Sequence, residues 1–276
     1  MSHDNAERIT QQQHFAPVEA WDAIAADYDR HVAPGEVAIA HAALELARLR
    51  AGDRFLDIAA GPGGLSLPAA RLGAKVVATD WSPKMIERFV ARVRDEGIPD
   101  AEGKVMDCHA LDFAGNGFDV AGSLFGIMLV PDQAKALREM VRVTKPGGTI
   151  AAYAWDMPGG GFPLEPIYSE MRAMGIAPAA PPSPDASRMD ALTALWSNAG
   201  IGDLATNDIK VQRTFADFDD FWATALLGAS MRATVAKMAA NEVEVIKGRV
   251  RSKLLPDSSG RLTCHARANA IKGIVK

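Results

Sequence analysis

The chain has only two cysteines in 276 residues, Cys108 and Cys264. That is too few, and too far apart, for a disulfide framework or a cysteine metal site, and it points to a reducing compartment. Excess positive charge is also missing. The net charge of −4 argues against nucleic acid or an acidic membrane as the main partner. A locally basic carboxyl end (Lys247, Arg249, Arg251, Lys253, Arg261, Arg267, Lys272) reads as a solvated helix face. No apolar run approaches the roughly 20 residues of a membrane span. The amino end, Met1 to Gln13, is polar and lacks the apolar core of a signal peptide. These absences together predict a soluble, cytoplasmic protein.

Apolar residues make up 48% of the chain, enough for a sizeable core, and the length allows one large α/β domain or two small ones. Aromatics are few and alanine is abundant, which suits helices packed on a sheet. Residues 1–16 read as loosely tethered. Apolar spacing predicts a short helix over 21–29, a break at Pro34-Gly35 and a helix over 36–49. Strands are expected near 54–58, 75–79, 103–107, 118–124 and 148–154. Helices are expected near 64–72, 83–95 and 131–143, with Ser82 capping the second of these ahead of Pro83. This alternation implies parallel strands with right-handed crossovers.

Beyond Trp155 the pattern weakens. A helix is expected over 164–174. The stretch 177–186 holds Pro178, Pro181, Pro182 and Pro184 and is expected to lack regular structure. Further helix is expected over 187–198 and most of 215–253, where Asn241 is a candidate cap for a face of Val243, Ile246, Val250 and Leu254. Strands are expected over 208–214 and 262–275, with a bulge at Gly273.

The informative stretch is Phe55-Leu-Asp-Ile-Ala-Ala-Gly-Pro-Gly-Gly64. An apolar strand ends in an acid, and a glycine turn feeds a helix. Such a turn lets bare backbone approach a nucleotide-like ligand. Asp57 would repel a pyrophosphate but attract an ammonium group. Asp80, at the end of the second strand, is placed to hold two ribose hydroxyls.

Asp57-Ile-Ala-Ala-Gly-Pro-Gly63 resembles the first motif, D-x-[GA]-x-G-x-G, of class I S-adenosylmethionine-dependent methyltransferases. Four further segments are similar to motifs of that family: Thr79-Asp-Trp-Ser-Pro-Lys-Met85, Met106-Asp-Cys108 with Leu111 and Phe113, Phe118-Asp-Val120, and Arg142-Val-Thr-Lys-Pro-Gly-Gly148. The likeness runs over about 20–155. Its closest flavour is the UbiE-like branch, which methylates ubiquinone and menaquinone precursors on carbon. That branch's signature after the Tyr-Asp pair is replaced here by Arg30-His-Val-Ala-Pro34, so the resemblance leaves the acceptor open.

The resemblance implies a Rossmann-like α/β fold: a seven-stranded, mostly parallel sheet with the last strand antiparallel, helices on both faces and a helical lid. It implies a lid segment over 1–35 and a methyltransferase domain over 36–276, with 156–200 and 214–260 as cover elements. It also implies S-adenosyl-L-methionine as cofactor, with S-adenosyl-L-homocysteine as product. Ala59, Gly61 and Gly63 would lie along the methionine end and Asp57 near its ammonium. Asp80 would take the ribose, Trp81 and Met85 the adenine faces, and Asp107 and Cys108 the adenine edge. Ser123 and Phe125 would flank the methionine portion, under a lid carrying Tyr28.

No catalytic base is evident; His31 and Tyr28 are the candidates. Tyr153, Trp155, Phe162 and Trp222 are candidates for an acceptor pocket. No metal site is expected. The acceptor would be a small, lipophilic or secondary-metabolite molecule, methylated on O, N, S or activated C, by a monomer or homodimer.

Absent motifs narrow the field. Ser123-Leu-Phe-Gly126 lacks the proline pair and platform aromatic of DNA amino-methylation, there is no Pro-Cys pair for cytosine C5 chemistry, and two distant cysteines cannot grip arsenite. Two rivals share parts of the pattern. A nicotinamide-dependent oxidoreductase shares the glycine turn and Asp80 but has no use for Asp57. A non-catalytic cofactor-binding relic is countered by the intact Asp57, Asp80 and Asp107.

Overall fold

Phe55 and Leu56 point to opposite sides of β1 (Arg54–Ile58), and both are buried. A strand that is apolar on both faces belongs in the middle of a sheet covered on both sides. The computed structural model, which describes residues 17–178 and 184–276, places it there. β1 lies between β2 (Lys75–Asp80) and β4 (Phe118–Leu124), and the sheet order is β3-β2-β1-β4-β5-β7-β6. The remaining strands are β3 (Ala101–Val105), β5 (Thr144–Trp155), β6 (Gly202–Phe215) and β7 (Leu262–Ile274). β7 runs antiparallel to both of its neighbours, and the other pairs are parallel. The seven-stranded, mostly parallel sheet is therefore as expected.

Alternate strand residues feed two cores. On one face, Leu56, Ala121, Ile150 and Ile271 pack against α5 (Gln133–Val143) and α7 (Met189–Asn198) through Leu137, Met140 and Trp196. On the other, Phe55, Val76, Val120 and Ala151 meet α2 (Val37–Ala47) and α4 (Pro83–Asp95) through Ile39, Leu44 and Phe89. The crossover α3 (Ser66–Arg71) follows β1 directly. A third core lies in the cover elements. There α6 (Glu165–Ala173), α8 (Phe218–Ala225) and α10 (Ala240–Lys253) enclose Met171, Phe221, Trp222 and Ile246 above the ends of β6 and β7. The short α9 (Ala229–Val235) connects the last two.

The amino-terminal helix α1 (Val18–Asp27) rests on α4. Ser82 caps α4 as expected, accepting from the Met85 N–H at 3.2 Å. Its hydroxyl also donates to Asp22 of α1 at 2.5 Å, and the same carboxylate accepts from the Lys84 N–H at 3.1 Å. An acid of α1 thus sits at the positive end of α4. Buried Asp29 completes the attachment through Arg88 and Arg92, at 2.8 and 3.1 Å.

Several expectations change. Pro34-Gly35 does not break the chain: one π turn (Tyr28–Val32) and one 3₁₀ turn (Ala33–Glu36) run straight into α2. Proline is tolerated because it occupies the first turn, where no N–H is needed. β3 ends at Val105, so Asp107 lies beyond the strand tip. β6 is much longer than 208–214; it is an edge strand in which only Ile209 and Phe215 are buried, so burial imposed little pattern on it. The stretch 215–253 divides into three helices. Asn241 lies inside α10, and the cap is Ala239, whose N–H donates to Glu242 at 2.9 Å. The proline stretch carries a 3₁₀ turn over Pro184–Ser187, and its residues 179–183, like residues 1–16, lie outside the described residues.

The expected bulge at Gly273 belongs to its partner strand. Gly202 pairs with Ile274 and Ala205 with Lys272, so β6 carries the extra residue. Gly273 makes room for it, because a Cβ there would lie 2.4 Å from Ile201 Cγ2 and 2.7 Å from Leu204 Cδ2. Gly273→Ala should therefore cost about 1–3 kcal/mol through overpacking. Gly248→Ala, on an exposed face of α10 with nothing within 4 Å, should gain roughly 0.5–1 kcal/mol. Urea midpoints of both variants check the pair, and equal midpoints would contradict this packing.

Candidate functional site

The carboxyl ends of β1, β2 and β4 open into one cleft. Its walls include Asp57, Ala59, Gly61, Asp80, Trp81, Met85, Asp107, Cys108 and Phe125, with Trp21, Tyr28 and Glu36 from the amino-terminal segment. The space enclosed is about 930 Å³, part of it open to solvent.

Backbone shape sets the floor. Ala59, Gly61 and Gly63 all have positive φ, at 54°, 55° and 97°. For Ala59 that is an uncommon, strained conformation. Phe125 also has positive φ, at 62°. The two strained residues face each other across Gly126, where a Cβ would fall 2.3 Å from Ala59 Cβ. Gly63 presses on Phe89 and does not line the cleft; a Cβ there would lie 2.5 Å from that ring.

Asp57 and Asp80 stand at the ends of β1 and β2, and Asp107 follows the end of β3. Asp57 is fully buried. Its Oδ2 accepts from the Ser66 hydroxyl at 2.6 Å, while Oδ1 accepts from no described residue. Burial pushes its pKa from 3.8 to about 7 against the pull of Ser66, and neighbouring Asp80 and Glu36 add repulsion. Asp80 accepts from the Gly61 and Ser82 N–H groups, one on each oxygen, both at 2.9 Å. Burial raises it to about 6 despite those bonds. Asp107 Oδ1 holds the His109 N–H at 2.9 Å and its ring Nδ1 at 2.7 Å. Asp107, Cys108 and His109 bring potential metal-ligand atoms within 4.8 Å. Burial, the largest cause, and the charge of Asp107 raise the Cys108 thiol, so it is not a ready thiolate ligand.

A second cavity, about 1210 Å³ with part of it open, lies against the first. Trp21, Tyr28, Glu36, Phe125 and Leu129 belong to both walls. Its lining is otherwise mainly apolar, including Met128, Trp155, Met157, Phe162 and Phe215, with Arg213 the cationic side chain in it. Phe125 and Trp155 stack at 4.0 Å, 7° from parallel, and form a flat wall.

Four proposed site residues lie elsewhere. Tyr153 is turned into the core behind the sheet, where its hydroxyl donates to Ala43 O at 2.6 Å and ties α2 to β5. Trp222 fills the cover core, under Lys247. Ser123 is buried and accepts from the Ile127 N–H at 3.0 Å, steadying the turn after β4. His31 is exposed outside both cavities, and its carbonyl accepts from Arg213. Its imidazole is not placed to act as a base.

Sequence reasoning passed over Glu36 and Arg213. Glu36 reads as the first residue of a helix, and only its position after Pro34-Gly35 hints at more. Here it lines both cavities, and its Oε1 accepts from the Tyr28 hydroxyl at 2.7 Å. Burial raises its pKa from 4.5 to about 7, against the pull of Tyr28 and Arg213. Arg213 is distant in sequence and reaches the site only because β6 folds over it.

The family profile described as "Methyltransferase domain" matches residues 55–148, from β1 into β5. Over that stretch the chain is similar to methyltransferase domains. An uncharacterized protein of Mycobacterium tuberculosis is 43% identical over 108 residues, 39% of each chain. A demethylmenaquinone methyltransferase of Renibacterium salmoninarum is 42% identical over 125 residues, 45% of this chain and 50% of that protein. The chain thus spans about two fifths to half the length of these curated relatives. Among solved structures, a phosphoethanolamine N-methyltransferase of Haemonchus contortus with S-adenosyl-L-methionine covers 85% of this chain and 51% of its own, with a TM-score of 0.53 at 21% identity. That likeness is one of fold.

The raised carboxylates of the domain have a measurable consequence. Unfolded, Asp57 would lose its proton near 3.8; folded, it keeps it to about 7. Between those values the native state binds more protons, so stability falls as pH rises. Asp80 and Glu36 act in the same sense. The ligand-free protein should lose stability between about pH 4 and 7. Asp57→Asn, which keeps an acceptor for Ser66, should be more stable than the parent above pH 7 and closest to it near pH 4. Urea unfolding across that range measures both, and a parent that grows more stable as pH rises would contradict the assignment.

Proposed function

We propose that the chain transfers the methyl group of S-adenosyl-L-methionine to a small, largely apolar acceptor, releasing S-adenosyl-L-homocysteine. One observation carries this reading. A buried aspartate with an unpartnered oxygen sits at the floor of a cleft that also presents two further aspartates and leads into an apolar cavity.

The residues fit that cofactor. Asp57 would take the ammonium group, which answers its orphaned Oδ1. Asp80 would hold the ribose hydroxyls, having one oxygen lone pair left beside each backbone bond. Asp107 would meet the adenine edge, with Met85, Met106 and Trp81 around the ring. The strained Ala59 and glycine turn keep side chains away from the methionine portion. A nicotinamide dinucleotide fits less well, because Asp57 would face its pyrophosphate.

The bound cofactor supplies an electrophilic methyl carbon on a positively charged sulfur. The protein then has to align a nucleophile with that carbon and keep water out. The shared wall of Tyr28, Glu36, Phe125 and Leu129 is where the two ligands would meet. The apolar lining suits a lipophilic acceptor. A quinone-type ring, the class in the name of the Renibacterium relative, belongs there, and so do other ring systems of secondary metabolism.

Isothermal titration with S-adenosyl-L-homocysteine tests the reading. Binding is expected, and Asp80→Ala should weaken it about tenfold or more, because charged hydrogen bonds are lost. A cationic ligand favours ionised Asp57, so binding below about pH 7 should release protons and tighten as pH rises. Titrations in buffers of different ionisation enthalpy measure that release. Absence of binding, or preference for a nicotinamide dinucleotide, would sink the proposal.

A further inference from the structure

Glu36 occupies the one place where an acid touches both cavities. It is delivered there by the π turn and the 3₁₀ turn that carry the chain from α1 into α2. Oε1 is committed to the Tyr28 hydroxyl. Oε2 leans over the glycine turn, 2.8 Å from where a Gly64 Cβ would be, and takes no hydrogen bond from the described residues. Beside it, Arg213 lies against Gly35, with Nη1 3.2 Å from a Cβ built there. The guanidinium rests 4.9 Å from the Phe215 ring centre and donates to His31 O, and it forms no ion pair among the described residues. Among the described residues, the mainly apolar second cavity thus carries one carboxylate, at its junction with the first, and one guanidinium that closes no ion pair.

We propose that Glu36 is the catalytic base for an acceptor bearing an acidic hydroxyl on an apolar ring, a phenol-type molecule, and that Arg213 holds the resulting oxygen anion. This rests on the methyl-transfer reading and names the acceptor class for it. The step balances. The acceptor O–H bond breaks and its proton goes to Glu36 Oε2. The oxygen pair forms the bond to the methyl carbon, and the carbon–sulfur bond breaks with its pair staying on sulfur. Glu36 then returns one proton to solvent.

The surroundings suit the task. Tyr28 from its own segment, Arg213 from β6 and Asp57 from β1 are the titratable and charged groups facing Glu36. Burial outweighs the two that favour its charge and holds it at about 7, near the pKa at which a carboxylate best accepts a phenolic proton at neutral pH. The stacked Phe125–Trp155 wall offers a flat boundary for a ring.

The test has two parts. 4-Nitrophenol is titrated into the protein saturated with S-adenosyl-L-homocysteine, and the parent should bind it. Single-turnover methyl transfer to phenol, in protein saturated with S-adenosyl-L-methionine, is then followed against pH, and the parent rate should rise to a plateau above about pH 7, where Glu36 has lost its proton. Glu36→Gln should lose that rise and run about a hundredfold below the parent plateau. Arg213→Met should weaken 4-nitrophenol binding about tenfold. An unchanged pH profile and plateau rate in Glu36→Gln overturn the role of Glu36. Failure of the parent complex to bind the phenol overturns the acceptor class and leaves the methyl-transfer reading standing. Failure to bind S-adenosyl-L-homocysteine removes both.

Discussion

An ionisable group buried without a full set of partners is costly, and the floor of this cleft contains one in Asp57. Its backbone is fixed by the parallel pairing of β1 with β2 and β4. Its side chain is fixed by the Ser66 hydroxyl at the start of α3. With one oxygen satisfied and the other not, the site is stable at low pH and electrostatically primed for a cation near neutrality. Burial raises Asp80 and Glu36 as well, so three acids share one poorly solvated hollow. Such an arrangement is hard to explain by stability alone, and it disfavours a phosphate there.

The amino-terminal segment turns this cleft into a compartment. Asp22 joins Ser82 and the start of α4, Asp29 engages Arg88 and Arg92, and Ile24 and Ala25 pack on Met85. The contacts fall on the helix that follows Asp80, so the amino-terminal segment and that side of the cleft are mechanically one unit. Past Asp27 the helix widens into a π turn, a feature common at functional sites. That turn holds Tyr28 and the 3₁₀ turn after it holds Glu36, and both side chains line the wall shared by the cavities. The cover helices close the far side with their own core, which lets the second cavity stay apolar and open.

Much of the nucleotide end could be read from the chain because its chemistry is local. Asp57, Ala59 and Gly61 lie within five residues of each other, and Asp80 closes an apolar strand. Strand periodicity and turn chemistry are short-range effects, so the order of β1 to β5 and the cap at Ser82 are visible in sequence. Less could be read where neighbours are distant. Tyr153 has the right position at the end of β5, but period-two alternation turns it to the opposite face, where Ala43 accepts its hydrogen bond. Trp222 is aromatic and near the site in order, yet the three-helix cover directs it into its own core. The Gly273 bulge moved to the partner strand, because only pairing reveals which strand has the extra residue.

The sequence by itself determined the α/β alternation, the strand ends at Asp57 and Asp80 and the glycine turn between them, since each depends on residues a few positions apart. The tertiary structure decided the acceptor side. Glu36 and Arg213 are 177 positions apart, and neither is marked by a motif. They line one cavity because β6 pairs along β7 at the sheet's edge and the amino-terminal turns reach the same wall. Burial then raises the proton affinity of Glu36, and burial is a property that no short stretch of chain carries.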